Sequence, residues 1–244
     1  MKQVLLKIIS NKKIAKDVYK MELFGDVSAI TAPGQFVNIK IDGLFLRRPI
    51  SVCNCESNTL TLIYKVVGKG TEIMSKMQDG ELDVLVGLGN GYDISPSGKT
   101  PLLLGGGVGV PPLYMLAKQL ISNGKKVTVV LGFNTKDEVF YEKEFKELGA
   151  NVIVTTVDGS MGIKGFVTDA VKDLDYSYFY TCGPEPMLKA IYKTLQTQGQ
   201  FSFEERMGCG FGACMGCSCK TITGYKRICK EGPVLSKEEI LWED

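Results

Sequence analysis

The chain has 244 residues, of which 44% are hydrophobic and 23% charged, and its formal net charge is +2. This composition is typical of a globular protein with room for two or three domains, and the small charge gives no support for nucleic-acid binding. The chain contains no histidine, which excludes mechanisms that need an imidazole base or a histidine metal ligand within it.

The sequence carries no sign of a membrane or export signal. No apolar run approaches the ~20 residues that span a bilayer. Residues 1–7 also lack the long apolar stretch of a secretory signal peptide. We therefore expect a cytoplasmic protein that does not enter a membrane.

Residues 1–98 show apolar side chains that alternate with polar ones. The clearest stretches lie at 19–23, 37–41, 60–64 and 82–86. This period of two predicts short antiparallel strands with one buried face, and turn signals separate them. The sequence therefore predicts a small antiparallel β-barrel, which ends at the linker Ser95-Pro96-Ser97-Gly98.

From Pro101 onward, short apolar strands alternate with helical segments. Strands are predicted at 102–104, 127–131, 152–156 and 178–181, and helices at 112–122, 139–148, 166–173 and 185–198. Continuous apolar strands joined by helices predict a parallel α/β sheet over 99–200. Beyond Gln200 we expect the regular pattern to stop and a cysteine-rich domain, 201–244, to begin.

The cysteine-rich segment predicts an iron-sulfur site. Cys209, Cys214 and Cys217 have C-x4-C-x2-C spacing, and Cys229 follows after eleven residues, as in plant-type [2Fe-2S] ligation. The glycines between them allow tight turns and offer backbone N–H donors to an anionic cluster. The alternative, a structural zinc site, usually has two C-x2-C pairs, and this segment has one clear pair. Cys219 is interpreted as a buried or idle thiol.

A glycine loop follows the strand at 102–104. Glycines let the backbone approach a pyrophosphate at the start of a helix. The candidate NAD contacts in this loop are Gly105, Gly106, Gly107 and Gly109. Val110 occupies the place of the third glycine in G-x-G-x-x-G, and no acidic ribose ligand follows the second strand. An ordinary Rossmann dehydrogenase is therefore disfavoured.

A second nucleotide element is the turn Cys182-Gly183-Pro184. It follows the strand at 178–181, and open α/β sheets bind ligands at the carboxyl ends of their strands. Cys182 is either a core residue or a nicotinamide contact, and its place at the strand end favours the contact.

The barrel region contains a candidate flavin segment, Leu46-Arg47-Arg48-Pro49-Ile50-Ser51. A guanidinium fork gives bidentate recognition of phosphate, and a nearby serine can bond a flavin or its pyrophosphate. Two further segments belong with it, namely Ile63-Tyr64-Lys65 and Gly68-Lys69-Gly70-Thr71. The second of these opens a helix with free N–H groups for a phosphate.

These motifs, in this order, resemble the ferredoxin-NADP reductase superfamily, and within it the family of dihydroorotate dehydrogenase B electron-transfer subunits. The resemblance covers essentially the whole chain. It implies an FAD-binding barrel over 1–98, an NAD-binding domain over 99–200 and a [2Fe-2S] domain over 201–244. By position, the residues that it implies as FAD contacts are Arg48, Pro49, Ile50, Ser51, Ile63, Tyr64, Lys65, Gly70 and Thr71.

The resemblance also implies a partner and a route. Cys209, Cys214, Cys217 and Cys229 match the family's cluster ligands. The implied partner is a separate FMN-containing dihydroorotate dehydrogenase catalytic subunit, with two copies of each chain, in pyrimidine biosynthesis. Electrons would pass between NAD, FAD, the cluster and that partner. No catalytic side chain is assigned.

Two other interpretations stay open at this point. One is the small subunit of an NADH-dependent ferredoxin-NADP reductase or sulfide dehydrogenase, which carries the same cofactors. Lys136 could attract a 2′-phosphate, which leaves NADP open. The other is a non-catalytic interaction protein that zinc stabilises.

Overall fold

The computed structural model describes residues 1–242, and six antiparallel strands close its first part into a barrel. The strands are β1 (Lys2–Ala15), β2 (Val18–Phe24), β3 (Phe36–Ile39), β4 (Arg48–Glu56), β5 (Thr59–Lys65) and β6 (Glu81–Leu88). Their order around the barrel is β1-β2-β5-β4-β3-β6, and helix α1 (Lys69–Lys76) lies between β5 and β6. The predicted antiparallel barrel is confirmed.

Strand β1 lies outside the stretches that the alternation predicts. Its pattern is obscured because Leu5 and Ile9, both apolar, are exposed on the outer face of the barrel. Leu6 and Ile8 point the other way and are buried in the barrel core. Period-two analysis fails where apolar residues occupy both faces of a strand.

The rest of the described chain contributes nine strands. They are β7 (Pro101–Gly106), β8 (Thr128–Phe133), β9 (Asn151–Thr156), β10 (Ile163–Lys164), β11 (Tyr178–Cys182), β12 (Gly199–Ser202), β13 (Ser218–Thr221), β14 (Gly224–Arg227) and β15 (Val234–Ser236). Seven of them form one sheet in the order β10-β9-β8-β7-β11-β12-β15. All its neighbours pair in parallel except β12 and β15, so the predicted parallel sheet is confirmed.

Helix α2 (Pro112–Ser122) has the predicted bounds, whereas α3 (Glu142–Glu147) is shorter than predicted. The prediction of helix from residue 139 is wrong because Tyr141 has a left-handed φ of 66°, which delays the first helical residue to Glu142. A left-handed residue cannot continue a right-handed helix.

The helix predicted at 166–173 is a short 3-10 turn, Val167–Ala170. The backbone N–H of Phe166 donates to Asp169 Oδ2 at 2.9 Å, which closes the chain into a tight turn. Side-chain bonds of this kind compete with helix propagation.

Helix α4 (Glu185–Thr194) also ends before the predicted residue 198. The chain leaves the helix at Leu195 and becomes extended, because Gly199 pairs in parallel with Phe179 of β11. The requirement to add a strand to the sheet therefore ends this helix.

Regular structure continues past Gln200, contrary to expectation. Strand β12 includes Gln200, β13 and β14 form a hairpin, and β15 returns to the large sheet, where Phe201 pairs with Leu235. These strands have three or four residues each, too few for a visible alternation. The cysteine-rich segment is thus tied to the sheet at both of its ends.

The barrel and the sheet share an apolar cluster. Val18, Cys53 and Ile63 of the barrel pack with Leu113 of α2 and Phe145 of α3. Burial raises the pKa of the Cys53 thiol to about 12, so it stays neutral and acts as a small core group. Among residues 1–242, no helix is both long and apolar enough to cross a bilayer.

Candidate functional site

A cleft of about 450 Å³ opens where the barrel, the sheet and the chain leading to the cysteines meet. Eight of the predicted flavin contacts line it, namely Arg48, Pro49, Ile50, Ser51, Ile63, Tyr64, Lys65 and Thr71. Gly109, Cys182 and Gly183 of the sheet region also line it. Met207, two residues before Cys209, lines the same cleft. The structure thus brings together residues from all three predicted binding segments.

The two adjacent arginines have different environments. Arg47 Nη1 donates to Asp83 Oδ1 at 2.9 Å and to the Asp83 carbonyl oxygen at 3.1 Å. This pairing holds the pKa of Asp83 below its usual value. Arg48 Nη1 donates to the carbonyl oxygens of Leu46 and Arg47, and within residues 1–242 it has no carboxylate partner. Of the two arginines, Arg48 is therefore the one whose charge no carboxylate offsets in the described part of the chain.

The start of helix α1 lies directly against Arg48. A Cβ atom on Gly70 would come within 2.0 Å of Arg48 Nε, so a larger residue there would require the Arg48 side chain to shift. Thr71 Oγ1 accepts hydrogen bonds from the N–H groups of Val67 and Gly68 at 3.0 and 3.3 Å. This threonine fixes the turn that opens the helix. A helix amino terminus beside a free guanidinium suits a phosphate ligand.

The Tyr64 side chain makes its contacts within the barrel. Its hydroxyl donates to Asn11 Oδ1 at 2.9 Å inside the barrel, and its ring stacks on Tyr19 with 6.0 Å between centroids. Burial raises the pKa of Tyr64 to about 12. The hydroxyl is thus neutral, and its proton is already used in a hydrogen bond within the barrel.

The glycine loop packs closely against the Cys-Gly-Pro turn. A Cβ atom on Gly109 would lie 2.2 Å from the Cys182 carbonyl oxygen and 2.6 Å from Gly183 Cα. Gly105 and Gly106 instead lie in β7, where a Cβ on Gly106 would meet Met187 Sδ at 2.4 Å. These two glycines make room for close packing within the domain.

Three nucleotide candidates remain, namely Gly107, Pro184 and Cys182. Gly107 has a left-handed φ of 53°, and a Cβ there would meet no atom within 4 Å. Pro184 lines a neighbouring cavity of about 550 Å³ that Cys219 also lines. Cys182 lines the cleft, and burial raises the pKa of its thiol to about 12. A neutral thiol at this strand end leaves both interpretations of Cys182 compatible with the structure.

A carboxylate does lie at the end of β8, although none follows the strand directly. Glu138 Oε2 accepts hydrogen bonds from Asn134 N at 3.2 Å and from Asn134 Nδ2 at 2.9 Å. A short 3-10 turn over 136–138 brings Glu138 back to the strand end. The sequence did not indicate this residue, because its carboxylate reaches the strand end only through the turn.

The four predicted cluster ligands form two pairs. Cys209 contacts Cys214, and Cys217 contacts Cys229. Within residues 1–242, no three His, Cys, Asp or Glu side chains meet as a single-ion site requires. A [2Fe-2S] cluster has two irons that share four thiolates, so two pairs of thiols fit such a group.

Backbone donors surround the sulfurs, as a cluster needs. The N–H groups of Ala213 and Cys214 donate to Cys209 Sγ at 3.2 and 3.4 Å, and that of Cys229 donates to Cys217 Sγ at 3.4 Å. Partial burial raises the pKa of Cys209, but backbone N–H donors outweigh it and lower this pKa to about 6. Thiolates are the form that binds metal.

Two family models match parts of the chain. A family model described as the iron-sulfur cluster binding domain of dihydroorotate dehydrogenase B matches residues 204–241. A second, described as the oxidoreductase NAD-binding domain, matches residues 103–193.

The chain also resembles solved structures. A structure described as NADH-dependent reduced ferredoxin-NADP oxidoreductase is 34% identical, with a TM-score of 0.88 over 98% of this chain and 90% of that one. A ferredoxin NADP⁺ reductase from Neisseria gonorrhoeae, with bound FAD and NADP, is 19% identical, with a TM-score of 0.70 over 80% of this chain and 90% of that one. The second likeness shows a shared fold.

Curated relatives cover nearly the whole chain. The dihydroorotate dehydrogenase B (NAD(+)) electron transfer subunit of Fusobacterium nucleatum is 49% identical over 94% of this chain and 95% of that protein. The subunit of the same name from Geobacillus sp. strain WCH70 is 47% identical over 99% of both chains. The chain therefore belongs to the family of dihydroorotate dehydrogenase B (NAD(+)) electron transfer subunits.

Proposed function

We propose that this chain relays electrons between a nicotinamide and a partner subunit, with FAD and a [2Fe-2S] cluster as its carriers. As a member of the family, the chain is an NAD-linked iron-sulfur flavoprotein of the oxidoreductase class. The observation that carries the proposal is the single cleft that Arg48, Gly109 and Met207 line together. Electron carriers must lie close to one another to exchange electrons.

For the flavin, we propose the barrel side of the cleft, within a domain of residues 1–98. Arg48, the start of α1 at Gly70 and the Thr71 turn would hold the FAD phosphates. Ser51, Ile63 and Lys65 would lie along the flavin. Support comes from the close approach of Gly70 to the Arg48 side chain, whose described hydrogen bonds go to carbonyl oxygens and to no carboxylate.

For the nicotinamide dinucleotide, we propose the sheet side, within a domain of residues 99–200. Gly109, Cys182 and Gly183 line the same cleft as the proposed flavin segment. They would hold the nicotinamide end, whereas the chain at 105–107, where β7 ends, would approach the pyrophosphate. The close approach of Gly109 to Cys182 supports a shared binding surface.

For the cluster, we propose Cys209, Cys214, Cys217 and Cys229 as ligands, within a domain of residues 201–244, whose last two residues lie outside the described part. When bound, the three groups supply hydride and single-electron chemistry, and the protein supplies position and environment. The thiolates and the surrounding N–H groups would hold the cluster and offset its negative charge.

The relatives' names imply a catalytic dihydroorotate dehydrogenase partner. We propose further that this partner carries FMN, that two copies of each chain assemble, and that they work in the cytoplasm in pyrimidine biosynthesis. Electrons from dihydroorotate oxidation would then leave through this chain to NAD⁺. Cys214 is exposed, which supports cluster access for a partner.

The composition of the purified chain tests the proposal. We expect one FAD, two irons and two acid-labile sulfides per chain, as plant-type ligand spacing requires. Zinc in place of iron and sulfide would contradict it and would favour the zinc-stabilised interaction protein.

The likeness to the NADH-dependent ferredoxin-NADP oxidoreductase structure supports a second candidate, the small subunit of such an enzyme. Co-purification with the native partner separates the two. A dihydroorotate dehydrogenase subunit favours the first function, and a ferredoxin-linked flavoprotein favours the second.

A further inference from the structure

Asn38 is a buried polar residue of the barrel that the route from NAD to the partner does not yet use. It lies on β3, is 1% exposed and faces away from the barrel core, whereas its neighbours Val37 and Ile39 are part of that core. Asn38 therefore shares the outward face of β3 with Phe36, and Phe36 lines the cleft.

The Asn38 side chain bonds to a proposed cluster ligand. Its Nδ2 donates to the Cys209 carbonyl oxygen at 3.3 Å. Its Oδ1 is buried without a hydrogen-bond partner among residues 1–242. Buried polar atoms are seldom left in this state. The contact with Cys209 is thus the one hydrogen bond within the described chain that orients this side chain.

The main chain of Asn38 contacts the two neighbours of Arg48 in the proposed flavin-binding segment. Asn38 pairs with Pro49 across β3 and β4, and Arg47 Nη1 donates to the Asn38 carbonyl oxygen at 3.3 Å. Arg47 and Pro49 flank Arg48, the proposed phosphate ligand. One residue is therefore fixed to the flavin-binding strand by its backbone and to the cysteine loop by its side chain.

The cysteine loop is shaped to receive this side chain. Gly210 has a left-handed φ of 78°, and a Cβ there would lie 2.3 Å from Asn38 Nδ2. Any other residue at this position would displace the amide or the loop. The contact between loop and barrel is therefore close packing with a hydrogen bond at its centre.

We propose that Asn38 is a positioning residue that sets the cluster ligand Cys209 against the flavin-binding strand and so controls electron exchange between FAD and the cluster. It acts through the Cys209 carbonyl oxygen and takes no part in hydride transfer. This inference rests on the proposed ligand role of Cys209.

A double-mutant cycle tests the contact in the FAD-loaded, cluster-loaded chain. The variants are Asn38→Ala, Gly210→Ala and their combination. Gly212→Ala is the matched control, because Gly212 has a left-handed φ of 91° in the same loop but its Cβ would meet the flexible Lys230 side chain. The measurements are the rate of cluster loss to a chelator, the EPR spectrum of the reduced cluster, and the rates of flavin and cluster reduction after mixing with NADH.

We expect Asn38→Ala to speed cluster loss roughly fivefold, as the loss of one buried hydrogen bond predicts. It should also shift the EPR spectrum and slow cluster reduction while flavin reduction by NADH stays within about twofold of wild type. A general loss of stability would slow flavin reduction and cluster reduction alike. Asn38→Leu, which keeps most of the volume but not the donor, should reproduce the shift.

In the cycle, adding Asn38→Ala to Gly210→Ala should speed cluster loss little further, because both changes break the same contact. Asn38→Ala and Gly212→Ala act on different contacts, so in combination their effects on the rate of cluster loss should multiply. Independent effects of Asn38 and Gly210, with a normal cluster in the wild type, would overturn this inference alone. Wild-type protein without iron and acid-labile sulfide would overturn the proposed function itself.

Discussion

The Lys65 ammonium lies 3.4 Å from the Glu138 carboxylate, which joins strand β5 of the barrel to the turn after β8 of the sheet. The same carboxylate binds Asn134 at the end of β8. Glu138 therefore links Lys65, which lines the cleft, to the carboxyl end of β8.

The first prediction follows from this link. Glu138→Gln should lower the free energy of unfolding by roughly 1–2 kcal/mol at pH 7, since it removes a charge that an ammonium and two N–H groups share. Chemical denaturation would measure it. The exposed pair Lys143 and Glu147 is the control, because Glu147→Gln should have almost no effect.

The effect of Glu138 should depend on pH. Burial raises its pKa, but the bonds from Asn134 and Lys65 outweigh this and hold the pKa below its ordinary value of 4.5. A lowered pKa stabilises the fold above pH 4.5, and the contribution is lost as pH falls through the folded-state pKa. Wild type and Glu138→Gln should therefore converge in acid. A difference that grows as pH falls would contradict this account.

A second prediction separates the two arginines. Arg48→Ala should weaken FAD binding by about 2 kcal/mol, roughly thirtyfold, through loss of a charge-assisted phosphate contact. Arg48→Lys should recover part of this, because a point charge lacks the guanidinium fork. Fluorescence titration of the apoprotein with FAD measures both.

Arg47→Ala is the control for that titration. Because Arg47 bonds to Asp83 within the barrel, this variant should lose stability more than FAD affinity. If Arg47→Ala weakened FAD binding and Arg48→Ala did not, the phosphate ligand would be Arg47.

A third prediction concerns the cysteines. Serine at Cys217 should abolish the visible and EPR signals of the cluster, because Cys217 pairs with Cys229 in the proposed ligand set. Serine at Cys219 should keep them, since Cys219 lines a separate cavity. Iron retained in Cys217→Ser but lost in Cys219→Ser would reverse the assignment.

A fourth prediction uses the close approach of the glycine loop to the Cys-Gly-Pro turn. Gly109→Ala places a methyl group 2.2 Å from the Cys182 carbonyl oxygen, so the two segments must separate. The KM for NADH should rise while FAD content stays normal. Gly124→Ala is the control, because Gly124 lies in the turn after α2 and a Cβ atom there would meet no atom within 4 Å. Equal effects of the two variants would show that general strain, and not the contact with Cys182, controls NADH binding.

The sequence predicted those parts that local pattern controls. The barrel, the parallel sheet and α2 follow from the periodicity of apolar residues. The cysteine ligand spacing and the helix start at Gly70-Thr71 follow from the chemistry of those residues. The missed features depend on distant contacts. Tyr141 delays α3 with a left-handed backbone, β15 finds its place only by pairing with β12, and Asn38 meets Cys209 across 171 positions of sequence.

The central claim is that this chain carries electrons to a partner and does not itself oxidise dihydroorotate. Within residues 1–242, the barrel, the sheet and the cysteine segment are each assigned to one of the electron carriers in the proposed function. The isolated chain should therefore reduce artificial acceptors with NADH and leave dihydroorotate unchanged.

The most direct measurement is NADH formation from dihydroorotate and NAD⁺, with the isolated chain, with the catalytic subunit alone, and with both together. We predict activity only with both subunits. Serine at Cys214 should abolish this coupled activity while NADH still reduces the bound FAD. Dihydroorotate oxidation by the isolated chain, or full coupled activity in Cys214→Ser, would contradict the account.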